Sequence, residues 1–372
     1  MTCKYSDCSG LTSIIIPRSV TSIGYWAFRG CSSLASITVK AENTTYDSRN
    51  NCNAIIETAT NTLIAGCQNT VISNSVTSIG DEAFYYCSGL TSITIPNSVT
   101  NIGRQPFEYC SGLTSIIVET GNTTYDSRNN CNAIIETASN TRIVGCQNTV
   151  IPNSVTNIGN SAFLGCRGLT SITIPGCVTS IGNYAFAFCS GLTSVTIPNS
   201  VTQMGFGAFS YCSGLTSVTI PNSMTSISQF AFFSCSGLTS VTIGSGVRYI
   251  GYTTFSHCSS LTDVYCYAEN VPNTDSDAFK NSPVGSATLH VPEGSLQEYK
   301  TSSPWRGFGT IVGLTQDMID GIREIKNESF TPTLSNGEGD CYDLNGRMLA
   351  APQKGINIIR YSDGSTRKVM VK

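Results

Sequence analysis

LTSVTIPNSVTQMGFGAFSYCS, residues 192–213, is followed at once by a near copy, LTSVTIPNSMTSISQFAFFSCS, residues 215–236. Leu192 and Leu215 are one period of 23 residues apart. Self-similarity at such a period marks a solenoid and outranks any local assignment. The consensus is L-T-S-[IV]-T-I-P-N-S-V-T-x-I-G-x-x-A-F-x-x-C-S-G. Within one unit, Leu192, Val195 and Ile197 are apolar, and the last two alternate with Thr196, the pattern of a strand with one buried face. Pro198 lacks an N–H for pairing and ends the strand. Asn199-Ser200 supplies a turn through side chains that bond their own backbone. Val201 to Met204 runs along a second side. Ala208, Phe209 and Cys212 stand at i, i+1 and i+4, which suits one or two short helical turns with one face inward. No unit closes a core by itself; stacking on its neighbours does, so equivalent strands form one long parallel sheet.

Working outward, residues 31–109 and 110–188 form a larger duplication. Cys31 to Cys87 and Cys110 to Cys166 each span 56 residues, 33 more than one period. The extra length is the insert NTTYDSRNNCNAIIETATNTLIAGCQNTVI (residues 43–72), nearly repeated over residues 122–151. Two apolar runs in it, Ala54–Ile56 and Leu63–Ala65, flank a polar turn at Thr60-Asn61 and read as a β-hairpin. The loop Tyr46–Asn51, repeated at Tyr125–Asn130, has a single carboxylate; a calcium site needs more oxygen ligands, so a hydrogen-bonded turn is expected. Toward the C-terminus, Ala287–Val291 (strand), Ser295–Lys300 (short helix), Trp305, Phe308 and Thr310–Leu314 (strand) read as a cap over residues 261–314 that closes the stack. Residues 315–338 read as a linker with a brief helix at Gln316–Ile325. Residues 339–372 read as a small β unit, with Asn345-Gly346 and Asp363-Gly364 as hairpin turns.

This pattern resembles leucine-rich repeat proteins, and more narrowly the BspA-like class found on bacterial and some protist surfaces. The resemblance covers about residues 3–314. It implies a surface or secreted binding protein, adhesin-like, that meets host proteins, other cells or glycans. The alternative is a structural spacer that carries another module outward. The C-terminal unit, with Y-D-L-x-G-R, I-I-R and K-V-M-V-K, is similar to segments that sort and attach exported proteins. The chain starts inside a repeat, with Lys4 and Tyr5 where Ala and Phe belong, and no leader follows Met1. Upstream repeats and an export signal are therefore expected.

Composition excludes several classes. The net charge is −3 with 12% charged residues and no basic block, which argues against nucleic acid. There is no run of about 18 apolar residues for a transmembrane helix. Nine of the 17 cysteines form a column: Cys8, Cys31, Cys87, Cys110, Cys166, Cys189, Cys212, Cys235 and Cys258. They read as buried thiols acting as small apolar residues. A repeat-spaced column does not make a tetrahedral metal site, and no cofactor is expected. Cys52 with Cys67, and Cys131 with Cys146, read the same way, with a hairpin disulfide as the alternative in an oxidising space. His257 and His290 lie near no nucleophile pattern, and no phosphate loop is present. No enzymatic activity is expected.

Two surfaces remain. On the helical side, variable positions around A-F-x-x-C hold Trp26, Tyr85, Tyr86, Tyr109, Tyr184, Phe188, Phe206, Tyr211, Phe230, Phe233 and Tyr252. Aromatics that vary on a rigid repeat read either as a contact surface or as packing between coils. On the sheet face, Ser92, Thr94, Ser171, Thr173, Ser194, Thr196, Ser217, Thr219, Ser240 and Thr242 read as an uncharged hydroxyl array, or simply as good strand formers.

Overall fold

The structure is a computed structural model. It describes residues 2–3, 8–24, 26–141 and 143–317, and the strands Gly339–Tyr342, Met348–Leu349, Gly355–Tyr361 and Thr366–Val371. The chain is a parallel β-solenoid of about 13 turns. Strands that open successive units pair in register, Ser171 with Ser194, Thr173 with Thr196, Ser217 with Ser240 and Thr219 with Thr242. The inward residues of these strands, Ile172, Val195, Val218 and Val241, enter one continuous core.

The parallel sheet is not a single ladder. It runs in three lengths: Ser13–Ile16 with Ser36–Val39, Ser92–Ile95 with Ser115–Val118, and a seven-stranded stretch from Ser171–Thr173 to Thr310–Leu314. The breaks fall at the two inserts, which are hairpins as expected. Ala54–Glu57 pairs antiparallel with Thr62–Gly66, and Ala133–Glu136 with Ile143–Gly145. The insert loop is a hydrogen-bonded turn: Arg49 donates to the Asp47 carboxylate and to Asn61, and Ser48 Oγ accepts the Val39 amide at 2.9 Å. Burial raises the Asp47 carboxyl, but its bonds with Arg49 win and hold it below the ordinary range.

The A-F-x-x-C segment differs from expectation. It contains no helix. It is a run of consecutive turns in which one residue before Ala and one before Cys take positive φ, as at Tyr184 (54°) and Phe188 (59°). The reason is hydrogen-bond direction. Odd and even amides divide their work: Ala187 N–H bonds back to Tyr184 O within its own turn, while Tyr184, Phe186 and Phe188 N–H bond forward to Phe206, Ala208 and Ser210 O of the next coil. A helix would turn every amide along its own axis and leave this side of the stack unpaired.

Each column has a task. Phe163, Phe186, Phe209, Phe232, Phe255 and Phe279 stack face to face at 4.9–5.5 Å, and Trp305 closes the file edge-on at 5.5 Å. The cysteines are donors as well as filler. Cys189, Cys212 and Cys235 each give S–H to the phenylalanine carbonyl of the preceding coil at 3.1 Å. Ser282, where the last coil lacks cysteine, makes the same bond to Phe255 O at 2.6 Å. The 15 cysteines from Cys8 to Cys266 are free, including Cys52, Cys67, Cys131 and Cys146. Burial pushes the Cys212 and Cys258 thiols up to about 12. The S-G glycine is required by close approach: a Cβ on Gly214 would lie 2.4 Å from Ser190 O.

The cap holds Thr288–Pro292, Leu296–Thr301 and Thr310–Leu314, with Tyr299 and Trp305 fully buried over the last coil. Apart from residues 315–317, the expected linker and its helix lie outside the described residues, as does Tyr25. The C-terminal strands form an antiparallel sheet with Gly339–Tyr342 between Met348–Leu349 and Gly355–Tyr361, which also pairs with Thr366–Val371.

The donor role of the column is testable. Cys212→Ala leaves a small void and removes a donor from the Phe186 carbonyl, for a loss of ~1–3 kcal/mol. Cys212→Ser keeps a donor, as Ser282 does, and is expected to lose less than half as much. Urea unfolding midpoints of the two variants check this; equal losses would show that the thiol acts as volume alone.

Candidate functional site

The turn side gathers the aromatic residues into two files. In one, Tyr86 stacks on Tyr109 at 4.3 Å, Tyr109 meets Phe188 at 5.6 Å, and Phe188 stacks on Tyr211 at 4.3 Å. Phe233 and His257 extend it. In the other, Tyr184, Phe206, Phe230 and Tyr252 follow one another at 4.9–5.6 Å. The Arg29 guanidinium lies 5.6–5.9 Å from the rings of Trp26, Tyr85 and Tyr86 and ties the first coil to the first file by cation–π contact. Trp26 is 54% exposed, and Tyr184, Tyr211 and Tyr252 are 40–41% exposed. Tyr85, Tyr86, Tyr109, Phe188 and Phe230 are half-buried by their neighbours. Both readings of these residues thus apply at once: they pack on adjacent coils and still show ring surface to solvent.

Their backbone is informative. Trp26, Tyr86, Tyr109, Tyr184, Phe188, Tyr211 and Phe230 all have φ between 54° and 61°. Bulky residues rarely adopt this region, at a cost of order 1 kcal/mol each, and glycine adopts it freely. The same columns do carry glycine in other coils, as Gly165 and Gly207. At Gly165 a side chain is also excluded, since its Cβ would lie 2.5 Å from the Tyr109 ring that crosses to Phe188. Ring-on-ring contact, worth ~0.5–1.5 kcal/mol beyond area, offsets the strain where aromatics are kept.

The hairpin coils open two clefts in this face. Full coils present Ala-Phe there, but the hairpin coils present Ala65-Gly66 and Val144-Gly145 and then go directly to cysteine. The missing row leaves clefts of about 370 Å³ and 730 Å³ between the flanking turns. Each is bridged at its mouth by residues 56 apart, Trp26 Nε1 donating to Glu82 in the first and Gln105 Nε2 to Ser161 Oγ at 3.1 Å in the second. The second cleft holds Glu108, which sequence reasoning missed because its position varies between coils. Glu108 is 6% exposed, and its Oε1 has no hydrogen-bond partner. Burial raises its carboxyl to about 8; Ser161 and Gln105 oppose this, and Glu82 adds to it.

On the sheet face, Ser92, Thr94, Ser171, Thr173, Ser194, Thr196, Ser217 and Thr219 are exposed, and Ser240 is half-buried. Thr242 corrects the expectation: it is 3% exposed. It lies in register with Tyr265 of the cap, whose ring stacks on His290 at 4.2 Å. The array is also interrupted, because exposed Ile117 is in register with Thr94. Among the described residues, no group of three His, Cys, Asp or Glu side chains could hold a metal ion, and no helix is long and apolar enough to cross a membrane.

A parallel stack of 23-residue leucine-opened units with a turn face and a terminal cap defines a leucine-rich repeat solenoid. The chain belongs to the BspA-type leucine-rich repeat family, whose model matches in six copies over residues 2–62, 63–143, 134–262 and 179–300. No curated protein matches closely enough to count as a relative. Among solved structures, the pneumococcal vaccine antigen PcpA is similar at 17% identity, with 82% of this chain and 68% of that one covered and a TM-score of 0.52. A leucine-rich repeat protein from Eubacterium ventriosum is similar at 19% identity, with 75% and 78% covered and a TM-score of 0.51.

The buried carboxyl gives a pH signature. The folded chain keeps the Glu108 proton up to about 8, while the unfolded chain releases it near 4.5. The native state therefore binds more protons in that window, and stability falls as pH rises through it. Glu108→Gln is expected to unfold at a similar temperature to the parent near pH 5 and at a higher one near pH 9, a gain on the order of 1 kcal/mol or more. Thermal melts at both pH values check this; a variant less stable at both would contradict it.

Proposed function

We propose that this chain is a non-enzymatic binding protein whose turn face is the contact surface, adhesin-like, for host or cell-surface proteins or glycans. The observation that carries the reading is the pair of aromatic files in which Tyr86, Tyr109, Phe188 and Tyr211 of one, and Tyr184 and Phe230 of the other, stand on left-handed backbone, where glycine would be less strained. Strain of this kind persists where the surroundings over-determine it and gathers at ligand-contact regions. Tyr and Trp give large contact area with few rotamers to freeze. Repetition along a rigid rod lets weak contacts add through effective concentration.

A hydrolase reading has one arrangement to answer. Ser256 Oγ lies 2.9 Å from His257 Nδ1, and Asn281 Nδ2 lies 3.0 Å from His257 Nε2. Ser256 gives its own proton to Lys280 O at 2.6 Å and is fully buried, so no substrate reaches it. The set is a structural link between the last coils. We place the working chain at or outside the cell surface, as the repeat resemblance implies, with no nucleic-acid partner. The β unit at residues 339–372 serves as its sorting or attachment segment beyond the linker at 315–338.

Purified protein should bind saturably to at least one member of a panel of matrix proteins, mucins and cells. Changing Tyr85, Tyr86, Tyr184 and Tyr211 together to Ser should abolish that binding. Binding retained by the variant would move the surface to the Ser/Thr sheet face. Absence of binding to every member would favour the spacer, whose partners lie on another module.

A further inference from the structure

The two 79-residue blocks are identical from residues 43–59 to 122–138, yet the walls of their clefts are not. Trp26, Arg29, Glu82 and Tyr85 of the first cleft correspond to Gln105, Glu108, Ser161 and Leu164 of the second. An insert loop and first hairpin strand kept letter for letter, beside walls replaced at every one of these positions, separate the frame from the side chains it presents.

The first cleft has a definite chemistry. Among the described residues Trp26 is the most exposed large aromatic of the turn face, and it stands on a strained backbone with φ of 61°. Its ring is oriented from two sides, by the indole N–H bond to Glu82 and by the Arg29 guanidinium 5.8 Å from its centre. Arg29 makes no ion pair among the described residues, and its Nε has no hydrogen-bond partner. Glu57, Asp81 and Glu82 supply carboxylates to the same lining. A fixed, exposed indole beside carboxylate and guanidinium suits a ligand with an apolar C–H face and vicinal hydroxyls at its edge. The volume of about 370 Å³ lies toward the small end of the ~300–1,000 Å³ range of ligand pockets. That size takes the end of a glycan, not its length. The excess of carboxylates disfavours sialylated or sulfated ends.

We propose that the first cleft is a sugar-binding site, in which a neutral terminal pyranose stacks on Trp26 and bonds Glu82 and Arg29 through its hydroxyls. The second cleft has Gln105 and Glu108 where the first has Trp26 and Arg29, and without that pair it does not take this ligand. The proposal deepens the binding function above by naming one site and one ligand class.

The chain itself supplies a probe. It contains two tryptophans, and Trp305 is fully buried in the cap, so ligand-dependent fluorescence reports on Trp26. The experiment titrates the full chain with the methyl glycosides of glucose, galactose, mannose and N-acetylglucosamine, and with lysine methyl amide as a cationic control. We expect a saturable emission change with at least one glycoside and none with the lysine derivative. NMR saturation transfer, which does not depend on Trp26, should show about tenfold or weaker binding in Trp26→Ala and about fivefold weaker binding in Glu82→Gln. Gln105→Ala should bind as the parent does. No response to any glycoside up to its solubility limit would overturn the proposal. So would unchanged glycoside binding in Trp26→Ala, or a response to the lysine derivative alone, which would mark the cleft as a seat for a protein's cationic side chain. Trp26 emission and its loss in Trp26→Ala read this cleft, so the result stands apart from retention on matrix proteins and cells.

Discussion

Everything on the turn side depends on one backbone constraint. Where one full coil follows another, alternate amides of the A-F-x-x-C segment bond forward to the next coil, and the amides between them bond back within their own turn. Each segment therefore satisfies itself and its neighbour, and the stack needs no helix to cover its turn side. The arrangement forces two residues per coil into left-handed backbone and aims their side chains outward. What the protein can display follows from which residues occupy those two columns.

The inner columns make this constraint tolerable. Stacked phenylalanine rings keep equivalent residues at one spacing, and Cys110, Cys189, Cys212, Cys235 and Cys258 each supply a compact donor to a phenylalanine carbonyl of the preceding coil. The core gains apolar volume without leaving that carbonyl to one amide. Where the hairpin coils omit phenylalanine, the rings of Phe84 and Phe163 lean over Gly66 and Gly145 instead, and the outer face opens. The clefts are a direct consequence of a shorter coil between two full ones.

Much of this was legible in the sequence, and the failures are instructive. The strands, the hairpins, the cap elements and the aromatic residues follow from period, alternation and turn chemistry. The expected helical turns did not form, because an i, i+1, i+4 spacing fits a helix and a run of tight turns equally well. Only the bonding between coils separates them. The clefts were not legible, since they arise from Gly66 and Gly145, two small residues inside a hairpin. Glu108 was passed over because its column tolerates any residue, and its burial depends on a coil 37 residues downstream at Gly145. Thr242 fits the repeat, but its cover, Tyr265, belongs to the cap and breaks the pattern.

Amide hydrogen exchange along the central coils tests the constraint most directly. We expect the amides of Phe186, Phe209 and Phe232, which bond to the next coil, to be protected as strongly as those of Val195 and Val218 in the strands. Rapid exchange at those phenylalanines beside protected strand amides would contradict the account, because the turn side would then be a set of independent loops and not a hydrogen-bonded wall.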